Sequence, residues 1–141
     1  MVYYNLFYLD LIILNTMNTD LTIEDLCYDN CKKFIPDVTI GKIIKVYDGD
    51  TVTIGTIFND QPYRFNVRLR NIDASEIRNK DKKDKEKAII ARDVLSDKIM
   101  NKIVTLENIA YDKYGRILAD VIYNDENISE WLLSGGYVEK Y

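Results

Sequence analysis

The chain has 141 residues, 47% hydrophobic and 30% charged, with a net charge of −4 and no histidine. This is enough for one domain with its own core, and it excludes every mechanism that needs an imidazole base. Two cysteines without histidine cannot complete a zinc site of the usual Cys/His type in a monomer, so any catalysis falls to carboxylates, arginines or a metal ion.

The charge is unevenly spread. Residues 1–37 hold six acids against Lys32 and Lys33, and so carry the whole net charge, while residues 38–141 balance 17 basic with 17 acidic side chains. A protein that grips nucleic acid mainly by neutralising phosphates shows a basic excess. Affinity for a polyanion must here come from a local site, which favours a transiently bound substrate over a stable complex.

Residues 3–14 form an apolar run, and no basic residue precedes Lys32. A secretory signal needs a positive n-region and a small-residue cleavage site, and neither is evident. The run also contains Asp10 and is too short to span a bilayer. No membrane association is expected, and an intracellular location is favoured. Met17 offers an alternative start that would leave the residues before it untranslated. Over residues 22–34, Ile23, Leu26, Cys27, Cys31 and Phe34 recur at helical spacing behind Thr22 as N-cap, and Pro36 ends the segment. This predicts a short amphipathic helix with the two cysteines as small buried thiols, within an acidic extension over 1–37.

From Val38 the pattern turns to strands. Residues 38–47 and 51–58 flank the turn Asp48-Gly49-Asp50, and residues 63–72 follow the loop Asn59-Asp60-Gln61-Pro62. In the third strand Phe65, Val67 and Leu69 alternate with Arg64, Asn66, Arg68 and Arg70. The mixed charge run at 78–87 reads as a solvated loop feeding a helix over about 84–101, whose buried stripe is Ile90, Ala91, Val94, Leu95 and Ile99. Strands at 103–111 and 116–123 follow, joined by Asp112-Lys113-Tyr114-Gly115. Asn127 with Glu130 then opens a short helix that Gly135-Gly136 ends. Asn127-Ile128-Ser129 reads as a chance glycosylation sequon. The order predicts a mainly β domain over 38–141: a five-stranded Greek-key barrel of the OB type with two packed helices, behind an N-terminal helical extension.

Three clusters sit at strand ends or turns: Asp48-Gly49-Asp50-Thr51, the run from Arg68 to Glu76 (RLRNIDASE), and Asp112 to Arg116 (DKYGR). Each alone has an ordinary reading as a turn or cap. Together they supply two acids able to converge on a cation, a third carboxylate three residues on, and two arginines on separate strands. Their order resembles the staphylococcal nuclease (thermonuclease) family over roughly 40–140.

The resemblance implies a calcium-dependent endonuclease that hydrolyses phosphodiester bonds and leaves 3′-phosphates. It places Asp50, Asp73 and the backbone carbonyl of Ala74 on calcium, and Glu76 on the attacking water. It places Arg68 and Arg116 on the scissile phosphate, with Lys113 and Tyr114 beside the nucleotide's terminal phosphate. Single-stranded DNA and RNA are the implied substrates, and a monomer is expected. The family's common Asp-Thr-Pro-Glu is here Asp73-Ala74-Ser75-Glu76. A backbone ligand tolerates that change, but a hydroxyl near the ligand is lost and the loop carrying Glu76 gains freedom. Relatives usually continue past the position of Tyr141 into a third helix, so Tyr137 and Tyr141 are the rings expected near the base.

These residue types suit the reaction. Calcium accepts a flexible set of oxygen ligands, and the arginine fork donates two parallel hydrogen bonds to paired oxygens. The alternative from another class is a non-catalytic OB-type module that binds an oligonucleotide or a protein. A calcium-binding structural domain would leave the paired arginines without a purpose. The joint presence of both arginines, Glu76 and both acids favours the enzyme.

Overall fold

A computed structural model describes residues 20–141; the apolar run at 3–14 and Met17 lie outside the described residues. The chain divides into two compact units between Phe34 and Ile35. In the first, the helix expected over 22–34 is replaced by one 3-10 turn, Ile23–Asp25. Asp25 Oδ2 accepts from both the amide and the hydroxyl of Thr22, at 2.9 and 2.7 Å. The Asn30 side chain accepts from the Cys27 amide and donates to the Asp25 carbonyl, each at 2.9 Å. Such local side-chain bonds compete with helical ones, and the turn does not propagate. Cys27 and Cys31 are exposed rather than buried.

The second unit contains β1 (Ile40–Val46), β2 (Thr51–Phe58), β3 (Gln61–Leu69), β4 (Ile72–Asp73), α1 (Lys82–Ile99), β5 (Ile103–Tyr111), β6 (Ile117–Tyr123), β7 (Glu126–Asn127), α2 (Ile128–Ser134) and β8 (Glu139–Lys140). The strands line up as β3-β2-β1-β5-β6-β7, and β3 also pairs with β6, closing five strands into a barrel. The closing contact is parallel, with Val67, Arg68 and Leu69 opposite Ile117, Leu118 and Ala119. This is the OB-type barrel with two helices that the strand order predicts.

Alternation explains the core. Val52, Ile54, Val67, Leu69, Ile117, Ala119 and Val121 have no more than 1% of their surface exposed, and all point into the barrel. Each large aliphatic among them gains ~1.5–3 kcal/mol from burial. The β2–β3 hairpin turns on Asn59 and Asp60, both at positive φ (48° and 60°), as a tight two-residue turn requires. β3 therefore begins at Gln61, earlier than expected.

Asp81 caps α1 by accepting from the amides of Lys83 and Asp84. The helix buries Ala88, Ala91, Leu95 and Ile99. Ile90, expected in that stripe, is 52% exposed, and Val94 is only half-buried. The helix presents its alanines because the β1–β2 turn comes so close. A Cβ on Gly49 would stand 2.7 Å from Ala91 Cβ and 2.9 Å from Ala74 Cβ.

Asn127 caps α2, accepting from Ser129 and Glu130. Past this helix, β8 returns to pair with β4, with Asp73 opposite Glu139. That pairing was not visible in the sequence, and it fixes the segment carrying Asp73. Among the described residues, no helix is long and apolar enough to cross a membrane.

Candidate active site

Arg68 stands next to the end of β3, with its side chain only 14% exposed. Its Nη1 donates to the Leu69 carbonyl at 2.9 Å. Its Nη2 lies 3.3 Å from Asp50 Oδ2 and 3.0 Å from Asp73 Oδ1. The two acids assigned to the metal thus converge on one positively charged nitrogen.

Asp50 reaches this point because the β1–β2 turn folds back on itself. Its amide donates to Asp48 Oδ1 at 3.1 Å, and its carbonyl accepts from the Leu69 amide at 2.8 Å. Its carboxylate accepts from the Thr51 hydroxyl at 2.8 Å and from the Ala74 amide at 2.7 Å. Even so, burial first and the nearby Asp48 second push the Asp50 carboxyl above its usual range, outweighing the Ala74 amide, Arg68 and Thr51. Burial, more than the neighbouring charges, decides the balance at this carboxyl.

Arg116 comes from the β5–β6 hairpin. Asp112 Oδ1 accepts from the amides of Tyr114 and Arg116, at 2.8 and 2.9 Å, while Oδ2 accepts from Arg116 Nε. Gly115, at φ 79°, closes the turn. Burial opposes the ionisation of Asp112, but the bonds from Arg116 and Tyr114 prevail and hold its carboxyl below the usual range. The Tyr114 ring carries cations on its face, with Lys113 Nζ at 5.1 Å and the Arg116 guanidinium carbon at 5.4 Å from its centroid.

The parallel register relates the two arginines. Arg68 sits opposite Leu118, which shares a strand face with Arg116 two residues before it. Both arginines therefore face one side of neighbouring strands, with Arg116 two residues along from the position opposite Arg68.

Glu76 is exposed on the loop after β4. Its carbonyl accepts from the Asn79 amide at 3.0 Å, and its carboxylate stands outside the hydrogen-bonded cluster of Asp50, Arg68, Asp73 and Ala74. Tyr137 lines a cavity of about 460 Å³ together with Asp73, Ala74, Lys87 and Ile90. Tyr141 is 88% exposed.

Sequence reasoning missed two participants. Asp48 read as an ordinary turn residue, yet it raises Asp50. Asp112 also read as a turn residue, though its spacing of four from Arg116 was the available signal. Asp50 and Asp73 fit a hard cation, because their oxygens already gather around one positive atom. Among the described residues, no three acidic, His or Cys side chains form a metal cage. A cation here would complete its shell with backbone, water and substrate oxygens.

The family model described as "Staphylococcal nuclease homologue" matches residues 66–141. An "Uncharacterized endonuclease" of Escherichia coli is 30% identical over 97 residues, covering 68% of this chain and 57% of that protein. One of Haemophilus influenzae is 34% identical over 100 residues, covering 71% of this chain and 51% of that protein. The chain thus spans little more than half the length of these relatives. The family match takes in all of α1 and everything from β4 to β8, and it extends over more than half of the sequence. On that match, and on a barrel rim where Arg68 meets Asp50 and Asp73, the chain belongs to the staphylococcal nuclease homologue family.

Proposed function

We propose that this protein is a calcium-dependent endonuclease that hydrolyses phosphodiester bonds in single-stranded DNA and RNA and leaves 3′-phosphates. The observation that carries this reading is the meeting of Asp50, Asp73 and Arg68 at one rim, with Arg116 on the same face of the neighbouring strand. The family membership and the endonuclease names of the relatives support it.

In this reading Arg68 and Arg116 donate hydrogen bonds to the phosphate oxygens on which charge builds, a role typically worth ~10²–10³ each in rate. Glu76 orients the attacking water and receives its proton. Its exposed loop position suits it to contact a substrate lying across the rim. The water oxygen bonds to phosphorus, the bond to the 5′ oxygen breaks, and that oxygen takes a proton from solvent. Asp50, Asp73 and the Ala74 carbonyl would hold the calcium ion, which when bound polarises a phosphate oxygen as a Lewis acid. Lys113 and Tyr114, at the hairpin tip, suit a contact with a flanking phosphate.

Purified protein incubated with single-stranded DNA or RNA should cut with calcium and cut far less with magnesium, whose octahedral demand suits the site poorly. Mass spectrometry of the fragments should find phosphate on the 3′ ends. Equal cutting in EDTA would overturn the mechanism.

A further inference from the structure

The two cysteines of the first unit take no part in the mechanism above. They bracket the turn Tyr28-Asp29-Asn30, which is closed by a bond from the Cys31 amide to the Cys27 carbonyl at 3.1 Å. Asn30 Oδ1 accepts from the Cys27 amide at 2.9 Å and from the Cys31 thiol at 3.5 Å, so both cysteines are tied to one side chain. Both are reduced and exposed. Residues four apart across such a turn hold their Cβ atoms ~5–6 Å from one another. A disulfide needs Cβ atoms ~3.5–4.5 Å apart. Two sulfurs on one tetrahedral zinc ion need only stand ~3.8 Å apart, at the ends of side chains that rotate. Three residues separate the cysteines, within the two to four that separate paired cysteines in structural zinc sites.

Two sulfurs make half of such a site, and this chain has nothing with which to finish it. It contains no histidine and no third cysteine. Among the described residues, no carboxylate joins the pair to make a set of three metal-ligating side chains. A second copy brings the missing half in kind. The surface around the thiols suits that contact. Leu21 is 62%, Ile23 88%, Leu26 50% and Tyr28 93% exposed, an apolar concentration of the kind that marks an interaction site. The turn Ile23–Asp25 buries none of its own residues. The charges suit it too. Four thiolates carry two negative charges in excess of the metal's, and Lys32 and Lys33, next along the chain, offset them in each copy.

We propose that Cys27 and Cys31 are half of a zinc site that a second copy of this chain completes, so that one zinc ion joins two copies through four thiolates. Each thiol gives its proton to solvent as its sulfur bonds to the metal, and no electron is transferred. Zinc binding here uses none of the groups assigned to cleavage, so it is independent of the nuclease reading.

The test uses the full chain, reduced and stripped of metal, with a phosphine reductant present throughout so that no disulfide forms. Zinc chloride should double the mass seen by light scattering, at one zinc ion for every two chains, and EDTA should reverse the change. Calcium, a hard cation that takes oxygen ligands, should leave the mass as it was. Zinc-edge X-ray absorption should find four sulfur neighbours at ~2.3 Å. The Cys27→Ser/Cys31→Ser variant should lose the zinc-dependent doubling while its circular dichroism matches the parent's.

A doubling that survives in this variant would overturn the bridge and leave the contact to the apolar surface. One zinc ion bound to each monomer would overturn it as well, as would fewer than four sulfurs around the metal. A parent that is dimeric before zinc is added, or that takes up no zinc, would do the same.

Discussion

The two arginines of the site are held in opposite ways. Arg68 is tied by residues distant in the chain: Asp50 comes from a turn eighteen positions earlier, and Asp73 is fixed by the pairing of β4 with β8. Arg116 is tied by its own hairpin, through Asp112 four residues before it. The first arrangement exists only when the barrel is closed, whereas the second can form as soon as the hairpin does. Their electrostatics differ in the same sense. Burial and Asp48 raise the carboxyl of Asp50, while the bonds from Arg116 and Tyr114 outweigh burial and lower that of Asp112. The β3 end therefore holds its buried carboxyl in the less readily ionised state, whereas the hairpin favours the charged form.

The largest expected effect is common to both regions. Arg68→Ala, Arg116→Ala and Glu76→Ala should each cut the calcium-dependent rate by at least ~10², and a parental rate in any of them would remove that residue from the mechanism. Stability should then separate the two arginines. Arg68→Ala removes the charge partner of the buried Asp50, which keeps its bonds from Thr51 and Ala74, and should lower unfolding free energy by ~1–3 kcal/mol in urea titrations. Arg116→Ala leaves Asp112 its backbone donors and should cost far less. Equal losses would break the comparison.

Gly49→Ala sharpens it at the backbone level. The new methyl must displace α1 or the Ala74 segment, at a cost of ~1–3 kcal/mol together with a fall in rate as Asp50 shifts. Within the hairpin, Asp112→Asn removes the charge that orients Arg116 and should lower kcat ~10-fold while leaving KM nearly unchanged. An increase in KM alone would show that Asp112 acts on binding instead of on the placement of Arg116.

The smallest effects are in pH dependence, and they run in opposite directions. With its folded pKa lowered, Asp112 contributes stability that is present above the ordinary carboxylate range and lost as pH falls through the folded value. With its folded pKa raised, Asp50 in metal-free protein weakens the fold as pH rises through that value, and acid relieves the cost. Carbon-detected NMR titration of the two carboxyls in EDTA should place the Asp50 midpoint above that of Asp112. The reverse order would refute the electrostatic contrast.

Much of the barrel was legible because alternation in β2, β3 and β6 marks which side of each strand is apolar, and that side becomes the core. The helices were legible as elements but not in their exact facing. Ile90 and Ala88 both fit a helical stripe. The approach of Gly49 to Ala91, invisible in the chain order, turned the alanine side inward. Helical spacing over 22–34 misled because Asn30 and Asp25 bind the local backbone themselves. In the site, the types and order of Asp50, Arg68, Asp73, Glu76 and Arg116 could be read directly. The parts played by Asp48 and Asp112 could not, since an acid in a turn has the same appearance whether or not it supports a neighbour.

The sequence by itself determined the order of the five barrel strands and the two helices of the barrel domain, the family resemblance and the candidate groups of the site, because these depend on residue type and short-range spacing. Only the tertiary structure decided that Arg68 faces the same side as Arg116 and bridges Asp50 to Asp73. That outcome follows from the parallel β3–β6 register and the β4–β8 pairing. These are contacts between distant segments, set by how the whole core packs and not by any local preference.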